Sequence, residues 1–342
     1  MKKLILLFPI LMFPLLNGCG NVNKTQLTYG TLTTDTAVQL TPSEFDTRYD
    51  AGENFLLAIY PKDSSCLCWE HFEYVINQAV EKDNLLIYKY YAQEVAISVA
   101  MKENGNFRSD LSHPTFYVVN NKSIAKYYPY NNDNPFYTEY TSFKKEIEKV
   151  CKFPKLYYVN EDILDQKLTD TKAVVMYIRE SCSDCKYLIP NALIPYIDSH
   201  TFFDHIYVID FDPYRSTDME LYQEKKDKYK LSTKYNEHLG YDAGYIPTLQ
   251  IYQNGNLIDM MVYFNDKELI YDEINNIYHV SDSYYNETRN NYHHYLDNVT
   301  VKDLTKVAIK EEDTIQNRSW KSSSAALYHN QILNAFLDKY LA

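Results

Sequence analysis

The chain has 342 residues, with 34 basic and 46 acidic side chains, a formal net charge of −12 and 45% apolar residues. That length holds about two domains with substantial cores, and the acidic balance argues against nucleic acid and against electrostatic adhesion to anionic lipid. Tyrosine is abundant (35) and glycine scarce (8), which reads as a bias of genome composition rather than of function. In chain order, Met1-Lys2-Lys3 is a charged start, and Leu4 to Leu16 is an apolar run broken by Pro9 and Pro14. The run is short for a bilayer span and reads as a signal peptide over residues 1–19. Residues 20–36, rich in Asn, Thr and Gly, read as a tether.

A first domain is expected over residues 37–153. Thr41-Pro42-Ser43-Glu44 is a capping box with proline at the first helical position. Phe55 to Tyr60 reads as a strand. Ser64-Ser65-Cys66-Leu67-Cys68-Trp69 follows, then a helix with Phe72, Val75, Ile76, Ala79 and Val80 on one face. Leu85 to Tyr91 is a strand and Gln93 to Glu103 a helix. His113-Pro114-Thr115 leads into a strand pair turning at Asn120-Asn121-Lys122, and Phe143 to Val150 is a closing helix. Cys151 is an odd thiol, expected to be buried near the junction.

A second domain is expected over residues 155–280, with a strand at Leu156 to Val159 and a helix at Glu161 to Leu168. The apolar run Ala173 to Ile178 precedes Ser181-Cys182-Ser183-Asp184-Cys185-Lys186, and a helical pattern from Tyr187 to Ile197 follows. Both cysteines therefore sit where a buried strand turns into a helix. A helix N-terminus carries free N–H groups and partial positive charge, which stabilise a thiolate. The two-residue spacer lets one sulfur close onto the other. A structural disulfide or half a zinc site fits the bare spacing as well. His205 to Asp212 is a strand, Glu220 to His238 a charged helical stretch, and Gly244-Tyr245-Ile246-Pro247-Thr248 enters a hairpin turning at Asn254-Gly255. Residues 281–342 form a C-terminal extension. In it, Ile332, Leu333, Phe336, Leu337 and Tyr340 recur at helical spacing, a stripe that fits packing. His279, His293 and His294 do not converge as metal ligands.

From Lys155 to Tyr278 the order strand, Cys-x-x-Cys, helix with Pro190, Ile-Pro-Thr, strand, Asn-Gly, strand, helix resembles thioredoxin. The resemblance implies a cis Pro247 beside the cysteines, Cys182 as the attacking thiol and Cys185 as the resolving one. The first domain repeats the element order, so the fold class is α/β, two thioredoxin-like α/β/α domains in tandem around mixed central sheets, with a helical C-terminal extension. Two departures stand out. The family's buried acid in the strand before the cysteines is replaced by Met176, leaving Glu180 and Asp184 as proton-transfer candidates whose charge is expected to raise the cysteine pKa values. The first domain has Cys-x-Cys. Cys66 and Cys68 with Pro114 then form a second redox pair, a decayed site, or a metal site with His113. Leu16-Asn17-Gly18-Cys19 resembles the bacterial lipobox, which implies a lipidated Cys19 and a cell-membrane anchor on the extracytoplasmic face, where disulfides form. The expected function is a thiol–disulfide oxidoreductase without a dissociable cofactor or metal. It would act on cysteine-containing extracytoplasmic proteins or peptides, with a membrane or thioredoxin-like electron donor or acceptor as redox partner. The other reading is a redox-inactive scaffold lipoprotein that assists export or maturation.

Overall fold

The computed structural model describes residues 23–62, 66–231, 246–262, 269–272, 277–280 and 323–341. The leader with Cys19, Ser65, the Gly244-Tyr245 pair and residues 281–322 with His293 and His294 lie outside the described residues. The tether expected over residues 20–36 is corrected from Thr25 onward. Two strands open the fold, β1 (Thr25–Gln26) and β2 (Tyr29–Thr31), and every residue from Thr25 to Thr31 is buried. Leu27 and Tyr29 supply the apolar contacts, and the intervening threonines are β-branched and suit a pleated backbone.

The first half then runs β3 (Val38–Gln39), α1 (Pro42–Asp50), β4 (Phe55–Tyr60), α2 (Leu67–Asp83), β5 (Ile87–Tyr91), α3 (Val99–Asn104), β6 (Thr115–Asn120), β7 (Ser123–Tyr128), α4 (Tyr140–Val150) and β8 (Cys151–Lys152). Thr41 and Glu44 close the capping box as the sequence requires. The helix expected over Gln93 to Glu103 is interrupted. A 3₁₀ turn at Ala92–Glu94 ends, and α3 starts afresh because Ser98 caps it, its hydroxyl accepting from Met101 N. The sheet order is β3-β5-β4-β6-β7, with β6 and β7 antiparallel. Alternation along β4 divides the packing. Leu56 and Ala58 face α2 and α4, with Phe72, Ile76, Phe143 and Ile147, whereas Phe55, Leu57 and Ile59 join α1 and its Phe45.

The second half runs β9 (Leu156–Tyr158), α5 (Glu161–Lys167), β10 (Ala173–Ile178), α6 (Ser183–Leu188), α7 (Ile194–Ser199), β11 (Ile206–Asp210), α8 (Asp212–Thr217), α9 (Met219–Lys228), β12 (Thr248–Gln253) and β13 (Asn256–Val262). The hairpin β14 (Leu269–Asp272) and β15 (Ile277–Val280) and the helix α10 (Ser323–Tyr340) complete it. Its sheet order, β13-β12-β10-β11-β9, repeats that of the first half, so the two units are tandem thioredoxin-like α/β/α layers. A single π turn, Ile189–Leu193, joins α6 to α7. Pro190 has no N–H to donate and its ring crowds the preceding turn, so the helix widens there. Asn254 and Gly255 both take positive φ, as a tight hairpin turn demands.

Two features depart from the expected order. A helix was expected directly after β13, and the described chain has the β14–β15 hairpin instead. The covering helix is α10, whose Leu333, Phe336 and Leu337 are fully buried against the second half. Its Asp338 accepts from Tyr196 Oη on α7 at 2.8 Å, and Asp259 of β13 accepts from Tyr340 Oη. The helix α10 thus lies beside α7 as α4 lies beside α2. The second departure is β2, which adds in parallel to β9 at the edge of the second sheet, while β1 pairs with β8 of the first half. The N-terminal segment therefore belongs to both halves. The core face under α1 and α3 is continuous with the core of the second half.

Candidate active site

Strand β10 and helix α6 position the second cysteine pair. Val174, Val175, Met176 and Ile178 bury β10 on both faces, and the chain leaves it through Arg179-Glu180-Ser181. Two acids fix that loop. Asp210 Oδ1 accepts from Glu180 N at 3.2 Å and Asp212 N at 3.0 Å, and Asp212 accepts from both Ser181 N and Ser181 Oγ. Burial, with Glu180 and Asp212 close by, pushes the Asp210 carboxyl up to about 6. Cys182 stands at the N-cap position of α6, and Cys185 lies one turn inside.

Cys182 is 7% exposed and Cys185 2% exposed, and both are free thiols. The Ile246–Pro247 peptide is cis, as the resemblance implied, and Pro247 is buried. In its thiol form Cys182 donates to Ile246 O at 3.6 Å, so the proline loop and the first cysteine are in contact. Arg179 N donates to Cys185 Sγ at 3.5 Å. The Cys185 thiol donating to Cys182 is the largest influence pulling Cys182 down to about 5, against its burial. The N–H groups of Cys185 and Asp184 and the Arg179 charge add to it. Cys185 moves the other way, well above an ordinary thiol, through burial and the adjacent Cys182 thiolate. Asp184 and Glu180 were expected to raise both values. For Cys182 that is corrected, because donated hydrogen bonds outweigh the nearby carboxylates. For Cys185, Asp184 does act upward. The pair is a thiolate beside a protonated thiol, the state that thiol–disulfide exchange uses.

Glu180 is not a free surface acid. Its Oε1 accepts from Arg48 Nη2 at 2.7 Å and from Tyr158 Oη at 2.9 Å. Arg48 belongs to α1 of the first half and also donates to Glu53 Oε2 at 3.1 Å. A small cavity of about 20 Å³ lies among these groups, lined by Arg48, Glu53, Tyr29, Tyr158, Glu180 and Cys185 among others. Reading the sequence missed this cluster, because Arg48 and Glu53 precede Cys185 by more than a hundred positions and carry no motif. A capped helix ending in arginine just before a Gly-Glu turn was the one local sign.

The first half places Cys66 at the N-cap of α2, where its sulfur accepts from Cys68 N at 3.2 Å, and the two sulfurs are bonded as a disulfide. Leu67 between them is 62% exposed. Trp69 stacks on Tyr60 at 4.0 Å. Pro114 is buried with a trans peptide bond, unlike its counterpart Pro247. The metal alternative for Cys66, Cys68 and His113 is corrected. Both sulfurs are spent in the disulfide, and His113 is turned to Asp110 at 2.9 Å and stacked on Tyr130. Among the described residues no three His, Cys, Asp or Glu side chains converge as metal ligands would. Cys151 is buried near the junction, where burial pushes its thiol up to about 12.

Searches with the sequence found no matching protein family and no matching curated protein. Solved structures that match include an N21Q mutant thioredoxin from Halobacterium salinarum NRC-1, at 16% identity and TM-score 0.22 over 31% of this chain and 76% of that one. Human ERp44 form I matches at 11% identity and TM-score 0.31, over 64% of this chain and 48% of that one. ERdj5 form II matches at 14% identity and TM-score 0.25, over 64% of this chain. The matched region spans about a quarter (26%) of the ERdj5 chain.

Proposed function

We propose that the protein is an extracytoplasmic thiol–disulfide oxidoreductase, held to the membrane through a lipid on Cys19, that acts on cysteine-containing proteins or peptides through Cys182 and Cys185. The observation that carries the reading is the placement of the pair, with Cys182 at the N-cap of α6 in contact with Ile246 O of the cis-proline loop and Cys185 buried one turn inside, and the opposite shifts of the two thiols agree with it. The Cys182 thiolate attacks a substrate disulfide, forms a mixed disulfide and releases one substrate thiolate. Cys185 loses its proton and attacks Cys182 Sγ, which closes the Cys182–Cys185 bond and releases the second substrate thiolate. The dithiol gives up two electrons and the substrate disulfide takes them. Run backward, the same steps oxidise a substrate dithiol. A membrane-bound or thioredoxin-like partner restores the starting state. Backbone at the Ile246–Pro247 peptide, in contact with Cys182, receives the substrate chain.

The Cys66–Cys68 bond joins this reading as a second redox pair. It closes only a three-residue ring, so it constrains the unfolded chain by about 1.6 kcal/mol at most and adds little as a staple. The near-complete burial of Cys182 favours the scaffold alternative, in which the fold binds partners without exchange. Equilibration in glutathione buffers, with each cysteine pair followed by mass, separates the two. Reversible titration of Cys182–Cys185 between about −270 and −120 mV supports the enzyme. A pair that does not exchange, with partner binding kept in Cys182→Ser, supports the scaffold.

A further inference from the structure

The exchange proposed above leaves one proton without a destination. Cys185 must lose it before attacking, yet it is buried, and the preceding strand β10 carries no acid, with Met176 and Tyr177 buried there. Granting that reading of the Cys182–Cys185 pair, we propose that the first domain completes the active site of the second: the inter-domain cavity carries the Cys185 proton through one water molecule to Glu53.

Three features of the molecule meet at this point. Cys185 and Glu53 both line the cavity, and its volume of about 20 Å³ is room for roughly one water. Two of the groups around it, Tyr29 Oη and Arg48 Nε, are buried and have no hydrogen-bond partner among the described residues. A water needs two to four polar partners to be held in such a place. Finally, Arg48 bridges both Glu53 and Glu180, and Arg179 and Lys186 also line the cavity. A proton taken up by Glu53 does not leave Arg48 unpaired, since Glu180 stays in contact.

Glu53 is the acceptor rather than Glu180 because of burial. The Glu180 side chain is about one-third exposed (34%) and is held by Arg48 and Tyr158, whereas the Glu53 side chain is only 12% exposed. Burial raises the Glu53 carboxyl, Arg48 lowers it, Glu180 raises it, and Lys186 from the last turn of α6 lowers it. Tyr29, Tyr88 and Tyr158 also face this cluster and stay protonated, each driven upward by burial. In the step itself the Cys185 S–H bond breaks and a Glu53 O–H bond forms through the water. The Cys185 sulfur pair then bonds to Cys182 Sγ, and the Cys182–substrate S–S bond breaks onto the substrate sulfur. Because Arg48 lies on α1 and Glu53 just after it, separating the domains would remove the proton path while leaving Cys182 in place.

The test uses the full chain with Cys19→Ser, Cys66→Ser and Cys68→Ser, reduced and mixed with 5,5′-dithiobis(2-nitrobenzoate). Stopped-flow absorbance resolves two releases of thionitrobenzoate. The first is attack by Cys182 and the second is resolution by Cys185. In Glu53→Gln the first release keeps its rate, and the second slows about 100-fold at pH 7. Its rate also becomes proportional to hydroxide, about tenfold per pH unit, where the parent is nearly flat above the Glu53 titration. Tyr29→Phe breaks no hydrogen bond among the described residues, and it slows the second release alone. A second release in Glu53→Gln with the parent pH profile, whether or not uniformly slower, overturns the proposal and leaves the exchange reading intact. Absence of the first release in the parent overturns the exchange reading itself. Should Glu53→Gln fail to fold, an unchanged second release in Tyr29→Phe overturns the proposal.

Discussion

Lowering the pH should expose Cys182 more clearly than any assay at neutrality. With its thiol at about 5, Cys182 is ~99% thiolate at pH 7, whereas an ordinary thiol at 9.0 is ~1%. That hundredfold gain is nearly cancelled, because nucleophilicity falls with basicity by a factor of roughly 60 over four units at a Brønsted slope of about 0.45. The expected advantage over free cysteine at pH 7 is therefore only about twofold. At pH 5.5 the free thiol has lost its thiolate, Cys182 keeps about three-quarters of its own, and the advantage grows to about 40-fold. The assay is the first-phase rate with a dipyridyl disulfide between pH 4 and 9, in the variant lacking the thiols of Cys19, Cys66 and Cys68. The profile should be flat from pH 9 to about 6 and fall with a midpoint near 5. Replacing Cys185 with alanine removes the largest influence on Cys182, so the midpoint must move up. A parent midpoint of 8 or above, or an unmoved midpoint in Cys185→Ala, would refute the proposed division of protonation.

Two further predictions concern the frame of the site. In Gly30→Ala the new Cβ would lie 2.5 Å from Asn84 O and 2.5 Å from Tyr157 Cε1, so the edge strand must shift and stability should fall by about 1–3 kcal/mol in urea unfolding. An unchanged midpoint would mean that β2 does not hold the halves together. Phe336→Ala empties a fully buried site under α10 and should cost about 3–5 kcal/mol, read in the same way. A loss below 1 kcal/mol would show that α10 is an ornament rather than a layer of the fold.

The fold was readable in the sequence wherever the signal was local. The Thr41–Glu44 box, the apolar strands Phe55 to Tyr60 and Ala173 to Ile178, the Asn254-Gly255 turn and the stripe at Leu333, Phe336 and Leu337 each depend on neighbours a few residues away. The placement of Cys182 at a helix start was legible for the same reason. What escaped depends on distance. Thr25 to Thr31 has the composition of a linker, and only pairing with Cys151 and Leu156 makes it structure. The sign of the Cys182 shift was misjudged because charges can be counted along a sequence, while hydrogen bonds donated to a sulfur cannot. Substitutes for the acid missing at Met176 were sought next to the cysteines, at Glu180 and Asp184, and Glu53 lies across the domain boundary in a cluster that only folding assembles.

The double engagement of the N-terminal segment has a consequence for how the chain reaches its final form. Gln26 Nε2 donates to Phe153 O across 127 residues, and Tyr29 pairs with Leu156 over a similar span. Whatever delivers the chain N-terminus first, β2 must wait for almost half the sequence before its partner exists. During that interval the first five-stranded layer can close, but the edge position for β2 has not been made. One edge of the second sheet is thus completed by some of the earliest residues of the chain. Truncated chains that stop short of Leu156 should display Tyr29 to Thr31 as an unmated edge, the kind of backbone that quality-control proteases and neighbouring nascent chains find first.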